Sequence, residues 1–132
     1  MGNTCVFCKF SPERVFLETS AAVACFDLYP IAKGHALVMP RTHVGSLYDL
    51  PPEEQTALWK LVGEARQELI VRFAPNGFNI GINDGEAAGQ TVAHAHIHLI
   101  PRYQGDVPDP RGGIRWVIPE KANYWEQTNP RK

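Results

Sequence analysis

Short runs of aliphatic, aromatic and β-branched residues, each closed by Gly, Pro, Ser or Thr, predict five strands, and one longer stretch with 3,4 spacing predicts a helix. Residues 14–18 and 21–26 read as a hairpin turning at Thr19-Ser20. Residues 35–39 form a third strand ended by Pro40, residues 78–82 a fourth, and residues 92–101 a fifth. Pro52 opens the helix, about 52–73, as proline favours the first turn. Glu53 and Glu54 sit near its positive end. Leu58, Leu61, Val62, Ala65 and Leu69 recur on one buried stripe, and Ala74-Pro75-Asn76-Gly77 stops the helix. The tail from Gln104 is rich in Pro and Gly, with one apolar stretch at 114–118. No repeat, low-complexity segment or linker interrupts the pattern. The expectation is one α+β domain over 1–132, with a core of about 5–103, a tail of 104–132, a five-stranded, mainly antiparallel sheet and one long helix.

The fifth strand carries the most unusual pattern. In His94-Ala95-His96-Ile97-His98-Leu99-Ile100, three of the five histidines alternate with apolar residues. On an extended strand the imidazoles share one face, starting about 6.6–6.8 Å apart. Imidazole titrates near neutrality and serves proton transfer, nucleophilic attack and metal binding. A solvated strand face more often uses Thr, Lys, Glu and Gln, and Gly81, Gly85 and Gly89 upstream suggest that backbone approaches something closely. The run is internal, which excludes a tag. The loop Asn83-Asp84-Gly85-Glu86-Ala87-Ala88-Gly89-Gln90 can fold its N–H groups around an anion, although alone it also reads as an ordinary hairpin loop.

Composition narrows the function classes. A net charge of −1 carries no basic surplus for long nucleic acid, and no apolar run approaches the ~20 residues of a membrane span. The N-terminus has neither a signal-peptide core nor the Ser or Thr at position six of a myristoylation signal. Three cysteines, two of them as Cys5-Val6-Phe7-Cys8, argue for a reducing compartment, by default the cytoplasm. Cys-x-x-Cys with two distant histidines suits a tetrahedral zinc set; a redox pair or two buried thiols are the competing readings. Cys25 lies in a strand and reads as core. Arg102, Arg111 and Arg115 are candidates for distant phosphates, although an ordinary solvated arginine is preferred for any single one. Trp116 and Trp125, if exposed, would mark an interface.

The stretch from Gly89 to Arg102 resembles the signature of the histidine triad (HIT) superfamily of nucleotidyl hydrolases and transferases, His-φ-His-φ-His-φ-φ. Further likeness lies in Phe26-Asp27-Leu28-Tyr29-Pro30, Lys33-Gly34-His35-Ala36-Leu37-Val38-Met39-Pro40, Arg41-Thr42-His43 and Asn83-Asp84-Gly85, so it covers about residues 5–103. Gly89-Gln90-Thr91-Val92 is similar to the fragile-histidine-triad and dinucleoside polyphosphate hydrolase branch; the phosphoramidase branch more often has Ser at the position of Thr91. The resemblance implies a HIT-like fold and an attack by His96 on the α-phosphorus of an adenine-type nucleotide, with His94 and His98 flanking it. It points Asn83, Gln90 and Thr91 toward phosphate, Asp27 toward ribose, and Phe26 and Leu28 toward the base. His35 would orient the triad from behind, or is simply a satisfied core histidine. Many microbial members bind a structural zinc at positions that correspond to Cys5, Cys8, His43 and His94; no catalytic cofactor is implied. The family usually forms dimers, so a homodimer is expected, with the tail near the neighbour's site. The tail departs from both well-known branches. A phosphoramidase, a nucleotide-binding regulatory module and a histidine-rich metal-binding protein are the alternative readings.

Overall fold

A computed structural model describes residues 5–9 and 11–126. Residues 1–4 of the N-terminal stretch read for targeting signals, Phe10, and residues 127–132 of the tail lie outside the described residues. Five strands, Val15–Glu18 (β1), Ala22–Phe26 (β2), Ala36–Pro40 (β3), Gly77–Ile82 (β4) and Ile97–Arg102 (β5), form one sheet in the order β1-β2-β3-β5-β4. Every pairing is antiparallel. The first hairpin turns where predicted, because the Thr19 hydroxyl accepts the N–H groups of Ala21 and Ala22.

Helix α1, Pro52–Phe73, buries the predicted stripe of Leu58, Leu61, Val62, Ala65 and Leu69. It ends at Ala74, a non-glycine residue at φ 48° whose N–H donates to the Ile70 carbonyl. Pro75 follows, and the chain leaves for β4. The stripe lies on Ala22, Ala24, Ala36, Val38, Ile97 and Leu99, one face of the three central strands. The small alanines let helix and sheet approach closely, and each fully buried leucine contributes about 1.5–3 kcal/mol. Among the described residues no helix is long and apolar enough to cross a membrane.

The opposite face carries His98. Val23, Cys25, Leu37 and Met39 form a second apolar patch there, packed by Phe7 and Val15. Leu37 and Gly81 flank His98 in register, and Asn79 lies opposite Ile100, so these residues share the face. The segment from Cys5 to Cys8 covers one side of it. On the other side lies the tail, with a 3-10 turn at Gly113–Val117 and a short helix, α2, at Pro119–Ala122.

The fifth strand is shorter than expected: it begins at Ile97, so His94 and His96 precede it. Its ladder partners run out, since β3 ends at Pro40, which has no N–H, and β4 ends at Ile82 opposite Ile97. The incoming backbone finds other partners, the Ala95 N–H donating to the Val44 carbonyl at 2.7 Å.

Candidate active site

Hydrogen bonds fix the tautomers of the histidines. Nδ1 of His96 lies 2.8 Å from the His94 carbonyl, which can only accept, so Nδ1 carries the proton and Nε2 keeps its lone pair. His35 Nδ1 accepts the Ile31 N–H at 3.2 Å, which puts its proton on Nε2, 3.0 Å from His98 Nδ1. His98 therefore accepts at Nδ1 and carries its own proton on Nε2. Asp27 stands 3.4 Å from His35 Nε2 and is anchored by the Tyr29 N–H on its other oxygen. Burial pushes His98 down to about 4, helped by the neighbouring His96 and His35 and opposed by Asp27. Burial likewise lowers His35 against the pull of Asp27. Both imidazoles are neutral near pH 7. His35 thus stands behind His98 and hydrogen-bonds it.

His96 and His98 border a cavity of about 450 Å³, together with Asp27, Leu28, Asn83, Gln90 and Thr91. Phe26, expected beside Leu28, is not with them. Strand alternation turns it to the helix side, where it stacks on Phe16 at 4.6 Å and meets Phe73 edge-on. Gln90 borders the cavity, but its side chain is committed to the loop: its oxygen accepts the Gly85 N–H, and its amide donates to the Gly45 and Val92 carbonyls. Gly85 and Gly89, at φ 99° and 95°, supply the two left-handed bends that this loop requires.

Phe7, Val6 and Arg14 also line the cavity and were not singled out from the sequence. Phe7 stands edge-on to His96, with ring centroids 4.8 Å apart. Its place between two candidate metal ligands was the available signal. Arg14 donates to the Phe26 carbonyl, and no pattern in the sequence marked it.

His94 is wholly buried and is not among the residues lining this cavity. Its Nε2–H donates to the Pro40 carbonyl at 2.8 Å, which leaves the Nδ1 lone pair for Cys5 and Cys8, each at 3.5 Å, and for His43 Nδ1 at 3.2 Å. Cys8 Sγ lies 3.2 Å from His43 Nδ1. A tetrahedral ion with Zn–S of ~2.3 Å and Zn–N of ~2.0–2.1 Å places S and N ligands ~3.6 Å apart and two N ligands ~3.3 Å apart. The four side chains fit that figure and can hold a metal ion such as zinc. Cys25 is buried, which raises its thiol to about 11 and keeps it inert.

Each of the three tail arginines has a partner within the chain. Arg102 donates to Asn79 and forks onto Asp106. Arg111 pairs with Asp109 and lies over the Trp125 ring. Arg115 donates to the Lys121 and Ala122 carbonyls. Trp116, about half exposed, donates to the Arg111 carbonyl.

Residues 9–105 match the model of the HIT domain family. The chain is 44% identical over 101 residues to the asymmetrical bis(5'-nucleosyl)-tetraphosphatase of Schizosaccharomyces pombe, covering 76% of this chain and 56% of that protein. It is 39% identical over 94 residues to the bis(5'-adenosyl)-triphosphatase of Dictyostelium discoideum, covering 71% and 63%. The chain thus spans less than two thirds of the length of either. A crystal structure of a HIT family protein from Bacillus anthracis superposes with a TM-score of 0.72 at 36% identity, covering 80% of this chain and 77% of that one. Fold, motif and relatives agree: the chain belongs to the HIT family.

Proposed function

We propose that the chain cleaves the α-phosphate linkage of dinucleoside polyphosphates through a nucleotidyl-histidine at His96 and releases AMP. The observation that carries this reading is the fixed Nδ1 proton of His96, which leaves the Nε2 lone pair available at the cavity. Such an imidazole is a competent nucleophile at neutral pH without a separate base. Nε2 attacks the α-phosphorus, the bond to the bridging oxygen breaks, and the leaving polyphosphate departs with the bonding pair. The Nε2–H of His98 donates to a phosphate oxygen as charge builds there. Water then attacks phosphorus and gives up a proton to solvent, the P–N bond breaks, its electron pair returns to Nε2, and AMP leaves.

Asp27 takes the ribose hydroxyls in this reading, Leu28 and Phe7 the base, and Asn83 and Thr91 the phosphate. Gln90 holds the loop that presents them. Zinc on Cys5, Cys8, His43 and His94 supplies a structural clamp and no step of the reaction. A homodimer belongs to the same reading, and Trp59 and Val71 on α1 leave apolar surface open for it.

The test is chromatographic product analysis after incubating wild type and His96→Ala with diadenosine triphosphate, diadenosine tetraphosphate and adenosine phosphoramidate. AMP from wild type and none from the variant supports the mechanism, and the fastest substrate chooses between hydrolase and phosphoramidase. No AMP from any of the three, or equal rates in the variant, removes His96 as nucleophile for these substrates and favours a nucleotide-binding module.

A further inference from the structure

His98 stands between two cavities on the open face of the sheet. One is the 450 Å³ cavity that holds His96. The other, of about 1020 Å³, extends over β5 and β4 toward the tail, and the two share Asp27, Tyr29, Asn83, Gly89 and His98 along their common border. Gly81 and Ile100 floor the larger chamber, and Ile114, Val117 and Ile118 wall its far side. We propose that this chamber takes the leaving-group nucleoside of a dinucleoside polyphosphate, and that residues 114–118 are the element selecting it. The inference rests on the function proposed above and extends it beyond the α-phosphate.

Size and shape come first. The chamber has more than twice the volume of the first and is at the upper end for drug-sized ligands. Its depth in front of His98 depends on Gly81, the direct register partner of that histidine. Glycine weakens a strand interior and is retained where something approaches closely. A Cβ on Gly81 would stand 3.4 Å from Ile114 Cδ1, bridging floor and wall.

The wall is apolar, exposed and held in place. Ile114, Val117 and Ile118 are 58%, 75% and 53% exposed, an apolar surface that a flat base would cover. Hydrogen bonds from Arg115 to the Lys121 and Ala122 carbonyls and from Trp116 to the Arg111 carbonyl set this turn before any ligand arrives. Preorganisation of that kind lowers the cost of ordering on binding.

Charge decides between a nucleoside and a terminal phosphate. Among the described residues lining the chamber there is no lysine or arginine. The nearby cations are engaged elsewhere, Arg102 on Asp106, Arg111 on Asp109 and Arg115, within the wall segment itself, on the Lys121 and Ala122 carbonyls. A leaving group ending in a bare phosphate would find no counter-charge there, whereas one capped by a nucleoside presents an apolar face to an apolar wall.

The test compares diadenosine tetraphosphate with adenosine phosphoramidate, whose leaving group carries no nucleoside. Wild type, the double variant Val117→Ser/Ile118→Ser and, as a chamber-filling change, Gly81→Leu are assayed for AMP release from each. The expected result is a fall of about tenfold or more in the ratio of kcat/KM for the dinucleotide to that for the phosphoramidate, carried mainly by KM. A ratio within twofold of wild type in both variants overturns the proposal, also where sedimentation shows that the same substitutions dissociate a dimer. Should wild type turn over neither substrate, the catalytic reading fails separately and calorimetric titration decides the chamber. Diadenosine tetraphosphate binding at least tenfold tighter than AMP, with the difference erased in the double variant, supports it; equal affinities overturn it.

Discussion

His35 Nε2 lies 3.0 Å from His98 Nδ1, and the proton between them belongs to His35. The Ile31 amide makes that assignment by occupying the other nitrogen of His35. Groups that set the tautomer of a functional imidazole from behind typically matter by about 10–100-fold.

His35→Ala is accordingly expected to lower kcat by roughly 10–100-fold with little change in KM, because the proton on His98 is no longer held at Nε2. Long-range ¹H–¹⁵N correlation spectra should show the His98 tautomers mixing in the variant. A single unchanged tautomer would remove His35 from this role.

The depressed pKa of His98 has a signed consequence for stability. Above pH 6.5 the group is neutral in both folded and unfolded chains, and its contribution is fully present. As pH falls from 6.5 toward about 4 the unfolded chain takes up the proton first, so stability is lost across that window and levels off below it. At ~1.4 kcal/mol per unit the loss is at most about 3.5 kcal/mol, and His35 adds to it in the same direction. Asp27, His96 and His35 surround the group. Urea unfolding at a series of pH values checks this, with His98→Gln expected to flatten the slope.

Metal removal should act on stability before chemistry. Elemental analysis is expected to find about one ion per chain, and chelation to lower Tm on the order of 10 °C. Cys8→Ser should lose the ion and show no further drop with chelator.

Gly34 sits at φ 87°, and a Cβ there would meet Phe73 Cδ2 at 2.7 Å. Gly34→Ala is expected to cost about 1–3 kcal/mol by denaturant unfolding, from backbone strain and from displacing Phe73.

The periodic elements were readable in the chain. Pro52, the Leu58–Leu69 spacing and the Ala74-Pro75 stop define α1 because helix period and punctuation agree. The hairpin at Thr19 was readable because its turn is closed by a local side chain. Alternation overran at His94 and His96, since it cannot show where neighbouring strands end. Phe26 was misplaced for a related reason: motif position says which residues cluster, and strand parity says which face each takes. The bridge from Ile31 through His35 to His98 spans 67 residues of chain and emerges only once β3 and β5 pair. The arginines of the tail were open to several readings because their partners, Asp106, Asp109 and two carbonyls, depend on turns that short-range pattern does not specify.

Val6 and Phe7 line the cavity of His96 while the residues on either side of them, Cys5 and Cys8, face His94 and His43. Four consecutive residues therefore face both the cavity and the candidate metal cluster. Whatever free energy an ion on the cysteines adds to nucleotide binding, the nucleotide must return in full to ion binding, since coupling between two equilibria is reciprocal. Were both ligands bound, metal and nucleotide occupancy would be linked equilibria, with Phe7 lying between the two sites.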